Sequence, residues 1–185
     1  MHRFGLFEIL GAWIAGTSAF FFLFGAPAFS GKPLPRGFEE ASWGMTVGQL
    51  REQIEVRKAD PSNGFGYAEH MEEDPEVYLR FGPHGERIEY YFFKEELYKI
   101  FVVYDRILFH TRFYDELAKE MEDSFGPPGR VFEEKFFGLD IQHTLWEDSG
   151  SVLDLRKGAG FIYQVRIDKK RNDEKKKAIA RRKSI

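Results

Sequence analysis

The stretch RIEYYFFKEELYKIFVVY, Arg87 to Tyr104, decides the fold of this chain. It contains two runs of aromatic and β-branched residues, RIEYYFF and LYKIFVVY, which are joined by the charged connection KEE. Such residues favour strands because their side chains pack well on a pleated surface, and a short polar connection between them favours a tight turn. The stretch therefore predicts a β-hairpin in the middle of the chain.

Further runs of the same kind lie on both sides of this hairpin. Asp148-Ser149-Gly150 and Gly158-Ala159-Gly160 have the composition of turns between three of them. Each run alternates or is rich in apolar residues, which is the period of a strand with one packed face. The predicted strands are EVYLRF (76–81), RVFEEKF (130–136), IQHTLWE (141–147), SVLDLRK (151–157) and FIYQVRI (161–167).

One helix is predicted before each group of strands. The first begins at Thr46, because Thr46 and Gln49 have the spacing of a capping box and apolar residues follow at helical intervals. The second covers residues 112–125, with phenylalanine, leucine and methionine at four-residue intervals, and Gly126-Pro127-Pro128-Gly129 ends it. The sequence thus predicts an α+β fold of two helix-plus-antiparallel-meander units in tandem that share one core. Both helices are expected on one sheet face, which leaves the other face solvated.

The first thirty residues are predicted to be a signal peptide. Between Ile9 and Gly31 there is no charged side chain, and small residues surround the candidate cleavage points after Ala28 and after Ser30. The expected location is therefore outside the cytoplasm, in the periplasm. An uncleaved anchor in the inner membrane, formed by Ile9 to Phe29, is the alternative, since about 20 apolar residues can span a bilayer.

The remaining chain divides into three parts. Residues 31–37, GKPLPRG, are predicted to be an extended linker, residues 38–168 the α+β domain, and residues 169–185 a basic tail. The whole chain carries a net charge of −3, yet the tail from Lys169 to Ile185 contains nine Lys or Arg against two acidic residues. An acidic domain with a basic tail is not the footprint of a nucleic-acid-binding fold. The tail is expected to be a solvated, partly helical terminus, or to make weak contact with an anionic surface or an acidic partner.

Three short motifs carry a resemblance to known proteins. Trp43-Gly44-Met45 opens the domain, Tyr90-Tyr91-Phe92-Phe93 forms a strand, and Phe125-Gly126-Pro127 ends a helix. In these three motifs the chain resembles a group of exported bacterial proteins of unknown function. Its element order resembles the β-lactamase-inhibitor-protein-like architecture and the small outer-membrane assembly lipoproteins with a BamE-like unit. The resemblance implies a non-catalytic, protein-binding role, although this chain has no cysteine for the disulfides or the lipid of those proteins.

Chemistry-bearing motifs are few. The chain has no cysteine, and its five histidines, His2, His70, His84, His110 and His143, do not have metal-binding spacing. The acidic segment His70 to Glu76 contains oxygen ligands for a hard cation but lacks the glycine pattern of a calcium loop. No nucleophile, phosphate-loop or dinucleotide motif is present. We expect no cofactor and no metal, and catalysis only by acidic residues as an unfavoured alternative.

The predicted solvated sheet face supplies the candidate binding residues. If the aliphatic residues of each strand point to the core, the residues between them point outward. Tyrosine, tryptophan and arginine are the types that dominate binding hot spots. We therefore expect an exported, non-catalytic protein that binds another envelope protein. A periplasmic carrier that binds a small molecule or a lipid in an apolar cavity between helices and sheet is the alternative. The predicted partner-binding residues are Tyr78, Arg80, Trp146, Arg156 and Arg166.

Overall fold

A computed structural model describes residues 32–60, 76–83, 86–104, 113–136, 138–158 and 160–184. The predicted signal or anchor segment, and all but Glu76 of the acidic segment His70 to Glu76, lie outside these ranges. The helices are α1 (Val47–Gln53), α2 (Phe113–Phe125) and α3 (Lys169–Lys183). The strands are β1 (Gly37–Phe38), β2 (Ala41–Ser42), β3 (Arg57–Ala59), β4 (Glu76–Phe81), β5 (Arg87–Phe93), β6 (Glu96–Tyr104), β7 (Arg130–Phe136), β8 (Leu139–Glu147), β9 (Ser151–Gly158) and β10 (Phe161–Asp168).

Eight strands form one antiparallel sheet in the order β3-β4-β5-β6-β10-β9-β8-β7, and β1 and β2 form a separate small hairpin. The α+β class with an antiparallel sheet is therefore confirmed. Strands β3 to β6 follow one another along the chain, as do β7 to β10, and the last strand of each run pairs with the other in antiparallel register. We call the sheet end with the β8–β9 turn the base and the opposite end the top.

The β5–β6 hairpin that opened the sequence argument is present. Its turn residues Lys94 and Glu95 have φ values of 50° and 67°. Two successive residues with positive φ give a turn whose twist matches that of the paired strands. The register shifts between Tyr91 and Phe92. Phe92 pairs with Leu97 and Tyr91 with Lys99, which leaves Tyr98 as the extra residue of a β-bulge.

The first face of the sheet, defined by Ile88, Tyr90, Ile100, Leu153 and Leu155, packs against α1 and α2. Leu50 of α1 is fully buried there, and Tyr114 and Met121 of α2 are buried with it. Burial of this apolar surface is the main stabilisation of the fold, because each large side chain removed from water contributes about 1.5–3 kcal/mol.

The second face is also buried over much of its area, so the prediction that it is solvated is wrong. Val77, Tyr91, Phe101 and Val165 form a second apolar cluster there, and each has almost no exposed surface. Aromatic rings connect this cluster: Tyr91 and Phe101 have centroids 5.4 Å apart, and Phe101 and Tyr163 are stacked at 6.5 Å. Both faces of the central strands are therefore packed, which explains why these strands are apolar at nearly every position.

The segment Trp43-Gly44-Met45 joins three elements at the base of the sheet. Trp43 donates through Nε1 to Ser151 Oγ at 3.1 Å, while Gly44 N donates to Leu97 O at 2.9 Å. Gly44 has a φ of 81°, and a Cβ at this position would collide with the guanidinium of Arg171. The positive φ is what favours glycine at this position. The predicted capping box of α1, made by Thr46 and Gln49, is present immediately after it.

Residues 32–36 have no regular secondary structure, and they do not form a free linker. Leu34 is buried, and its N–H donates to Asp148 Oδ2 at 3.0 Å. The same carboxylate accepts from the N–H groups of Gly150 and Ser151, both at 2.7 Å from Oδ1. Asp148 thus shapes the β8–β9 turn and fixes the incoming chain at the base of the sheet.

The basic tail is an ordered helix that begins where β10 ends. Asp168 is the last residue of β10 and also the N-cap of α3, since its carboxylate accepts from Arg171 N at 3.2 Å. Arg171 also pairs with Glu96 at 2.7 Å. Lys175 is buried and donates to Tyr98 OH at 2.7 Å. These polar contacts attach the helix to the start of β6.

Candidate functional site

The structure places the five predicted binding residues on both faces of the sheet, and the prediction that they share one exposed surface is wrong. Trp146 is 0% exposed and lies in the first-face core, where its Nε1 donates to Gly126 O at 2.9 Å. Tyr78 is buried in the same core, and its hydroxyl donates to Glu76 Oε1 at 2.7 Å. This hydrogen bond lowers the pKa of Glu76.

The cause of the error is the choice of face. The premise that the aliphatic residues of each strand point to the core would place Val77 and Ile141 beneath the helices. The cross-strand register instead places Tyr78 opposite Tyr90, and Trp146 opposite Leu153. The large aromatic rings are thus the ones that fill the space beneath the helices, and their polar atoms reach partners at the margin of the core.

Arg166 and Arg80 lie on the first face and are covered by the β1–β2 hairpin. The guanidinium of Arg166 donates to Gly37 O at 3.3 Å and to Gln164 Oε1 at 3.0 and 3.2 Å, and its carbon lies 4.6 Å from the centroid of Phe38. Burial lowers the pKa of Arg166 to about 10, so it remains a cation at neutral pH. Arg80 forms an ion pair with Glu39.

Tyr90 completes this polar interior. It is 0% exposed, and its hydroxyl has no hydrogen-bond partner in the described part of the chain. Burial raises the pKa of Tyr90 to about 12, so the phenol is neutral at physiological pH. The two arginines hold the hairpin onto the sheet, Arg166 through Gly37 O and Arg80 through Glu39.

Arg156 lies on the second face, in a group that we call the His143 cluster: Phe132, Glu134, His143, Asp154 and Arg156. His143 Nδ1 is 3.0 Å from Asp154 Oδ2, and Arg156 donates from Nε to the same oxygen at 2.6 Å. Both His143 and Asp154 are buried. A buried carboxylate is stabilised by such charged and polar donors.

The outer side of the His143 cluster is more exposed. The ring of Phe132 stacks on the imidazole of His143 with centroids 4.5 Å apart. The guanidinium carbon of Arg130 lies 4.5 Å from the centroid of the same Phe132 ring. Glu134 Oε2 is 3.7 Å from His143 Nε2, beyond hydrogen-bond distance. Edge strand β7 thus presents an arginine, a phenylalanine and a glutamate next to the buried histidine.

Adjacent register positions explain how these side chains come together. His143 is opposite Arg156 in the β8–β9 pair and opposite Phe132 in the β7–β8 pair. The sequence analysis missed this group because it considered each strand separately. Pairing β8 with β9 through the Asp148–Gly150 turn would have indicated it, since that turn fixes the register.

In the described part of the chain, the polar partners of His143 are two carboxylates, Asp154 and Glu134. Among the described residues, His143 forms hydrogen bonds only with Asp154, and no serine or threonine hydroxyl lies in contact with its free nitrogen. Over the same ranges, no group of three or more histidine and acidic side chains has the arrangement of a metal site. What the cluster provides is a fixed pattern of charge and aromatic surface.

Exposed apolar side chains mark the top of the same face. Phe81 is 59% exposed, Leu139 49% and Phe161 41%. The sequence analysis expected Phe81 to be in the core, but it stands at the last position of β4, beyond the covered part of the sheet. We call Phe81, Leu139 and Phe161 the apolar rim.

Register places all three rim residues at one end of one face. Phe81 pairs with Arg87, which pairs with Val103, and Val103 pairs with Tyr163. Phe161 lies two positions from this row, at the start of β10. Leu139 lies four positions from it, at the start of β8, because His143 belongs to the same row through Arg156. Val131, the other large hydrophobic residue that is exposed in the described ranges, is 57% exposed and lies on the opposite face.

No protein-family model, no curated protein and no solved structure matches this chain. The resemblance to exported proteins and to BamE-like units therefore stays a prediction. In the described ranges, the model has no helix that is both apolar and long enough to cross a bilayer.

Proposed function

We propose that this protein is an exported, non-catalytic module that binds another protein at the top of its second sheet face. The observation that carries the proposal is the apolar rim: of the four large hydrophobic side chains that are exposed in the described part of the chain, three lie at one end of one face. Grouped apolar exposure of this kind favours association, because contact removes the rings from water.

The surroundings of the rim support a protein partner. Arg57 covers the ring of Phe81 at 5.4 Å at the top of this face. Farther towards the base of the same face than Leu139, the stack of Arg130 and Phe132 stands at the sheet edge next to the buried His143. Aromatic and arginine side chains are the types that dominate binding hot spots. The proposed partner presents apolar side chains to the rim.

We further propose that the domain consists of two related units, α1 with β3 to β6 and α2 with β7 to β10. The identical element order and the pairing of the two final strands support this division. Export is supported by the uncharged segment from Ile9 to Gly31 and by the small residues near its end.

Site-specific photo-crosslinking in the native host tests the proposal. A photoreactive phenylalanine analogue at Leu139 or Phe161 is expected to give a discrete crosslinked product with another protein. Val131 provides the matched control, because it is similarly exposed and apolar but lies on the opposite face. Crosslinking of equal yield from Val131, or none from either rim position, would refute the rim as the binding surface.

A further inference from the structure

Helix α3 is firmly attached to the sheet along one side. Arg171 bonds to Asp168 at 2.6 Å and to Glu96 at 2.7 Å, and Lys175 is buried against Tyr98. Ala178 and Ile179 are half-buried on the same side of the helix. The opposite side of α3 therefore has a fixed orientation relative to the domain.

That opposite side is predominantly basic. Lys170, Lys176, Lys177 and Arg181 are exposed, and none of them forms an ion pair in the described part of the chain. The acidic residues of the helix, Asp173 and Glu174, lie in its first half. From Lys175 to Lys183 the sequence KKKAIARRK contains six cations and no acid. Lys and Arg near a helix C-terminus also interact favourably with the helix dipole.

The start of α3 lies where the chain arrives from the N-terminal apolar segment. Lys169 N donates to Gly150 O at 3.0 Å, and Leu34 N donates to Asp148 Oδ2 at 3.0 Å. The β8–β9 turn therefore binds both the first residue of α3 and the incoming N-terminal chain. Leu34 is five residues after Phe29, a length that spans at most about 18 Å. The chain length therefore limits Phe29 to about 18 Å from Leu34, which is fixed at the turn where α3 begins.

We propose that the exposed side of α3 binds the anionic head groups of a phospholipid membrane, the one that receives the segment Ile9 to Phe29. The exposed positions carry charge but no apolar stripe, so the contact is electrostatic and does not require insertion of the helix. The proximity of the apolar segment favours a lipid surface over an acidic protein. This contact is at the base of the sheet and does not depend on the apolar rim.

A single fluorescent label tests the contact in the full chain. Because the sequence has no cysteine, Ala180→Cys gives one labelled position on the exposed side of α3. With vesicles that contain phosphatidylglycerol and a head-group quencher, we expect quenching at position 180 that disappears in 0.5 M salt. Vesicles of phosphatidylcholine alone should quench it little. Glu133→Cys on β7 serves as the reference label, since it is exposed and distant from α3.

Two charge variants separate α3 from general electrostatics. Lys176→Gln, Lys177→Gln and Arg181→Gln together remove three exposed cations of α3. We expect their loss to weaken the contact by about 100-fold, at roughly fivefold per cation. Lys58→Gln, Lys119→Gln and Lys135→Gln remove the same charge elsewhere from exposed sites. This control should retain quenching at position 180.

Several outcomes would overturn the proposal. These are equal quenching at positions 180 and 133, quenching that ignores lipid charge, and quenching that persists in the α3 triple variant. A label at position 180 that responds to an acidic polypeptide but not to anionic vesicles would assign α3 to a protein partner instead.

Discussion

At the scale of single residues, the largest side chains determine which sheet face is the core. Trp146 fills the space between β8 and α2 and satisfies its indole N–H at Gly126 O. Tyr78 does the same on β4 with Glu76. Both residues combine a large apolar ring with one polar atom, and both use the ring for packing and the polar atom at the border of the core.

We predict that Trp146→Ala lowers the free energy of unfolding by about 3–5 kcal/mol, because it empties a large and fully buried site. Trp146→Phe keeps most of the ring volume and removes the hydrogen bond to Gly126 O, so it should cost about 1–2 kcal/mol. Urea unfolding followed by far-UV circular dichroism measures both. A variant Trp146→Ala as stable as the parent would show that the ring is on the surface after all.

Sequence alone could not determine these orientations. In β4 and in β8, the aliphatic residues occupy one set of alternate positions, and a single large aromatic residue stands among polar residues in the other set. The alternation alone therefore favours the aliphatic set as the core side. Only the pairing with β5 and β9 decides between them, and that pairing is a tertiary property. The strands themselves and the capping box at Thr46 were predictable, because they depend on local composition and spacing.

At the scale of elements, the β8–β9 turn organises the base of the sheet around one carboxylate. Burial alone would raise the pKa of Asp148, but the N–H groups of Gly150, Ser151 and Leu34 and the charge of Arg36 outweigh it, and the pKa is lowered. A lowered pKa in the folded state stabilises the fold above the ordinary value near 4. That contribution is lost as the pH falls through the folded-state pKa.

We predict that Asp148→Asn lowers the free energy of unfolding at pH 7 by about 1–2 kcal/mol, since hydrogen bonds to a charged acceptor are replaced by weaker ones. The difference from the parent should shrink as the pH is lowered from about 4 to 2, because the parent carboxylate becomes protonated there. Urea unfolding across this pH range tests the sign. Asp140→Asn, at an exposed carboxylate, should have little effect at any pH.

Helix α3 shows where element prediction was incomplete. Its sequence has no apolar stripe, and composition indicated only a solvated, partly helical terminus. The helix is held instead by polar contacts from Asp168, Arg171 and Lys175 to neighbouring strands. These contacts form only when the strand ends are assembled, so no local sequence pattern predicts them. The His143 cluster was missed for the same reason.

At the scale of the whole molecule, the first-face core connects the two runs of strands. Ile88, Tyr90 and Ile100 from the first run are in one buried cluster with Leu153 and Leu155 from the second. Strands β6 and β10 are paired at six successive positions in the middle of the sheet. Neither run can lose its structure without exposing the core of the other.

We therefore predict a single cooperative unfolding transition. Far-UV circular dichroism follows all strands, Trp43 precedes the first run and Trp146 lies in the second. Circular dichroism and the fluorescence of these two tryptophans should give coincident denaturation curves. Trp13→Phe combined with either Trp43→Phe or Trp146→Phe leaves one tryptophan and separates the two signals. Two distinct midpoints would show that the halves fold independently and share no common core.

The junction at Asp168 has a mechanical consequence. Because one residue ends β10 and caps α3, no loop can stretch between the helix and the sheet. A pull on α3 away from the base, with the top of the neighbouring strands held, would draw β10 lengthwise between β6 and β9. The inter-strand bonds run perpendicular to that direction and would bear the force together. We expect the fold to resist tension between its two ends far better than peeling from the edge at β7.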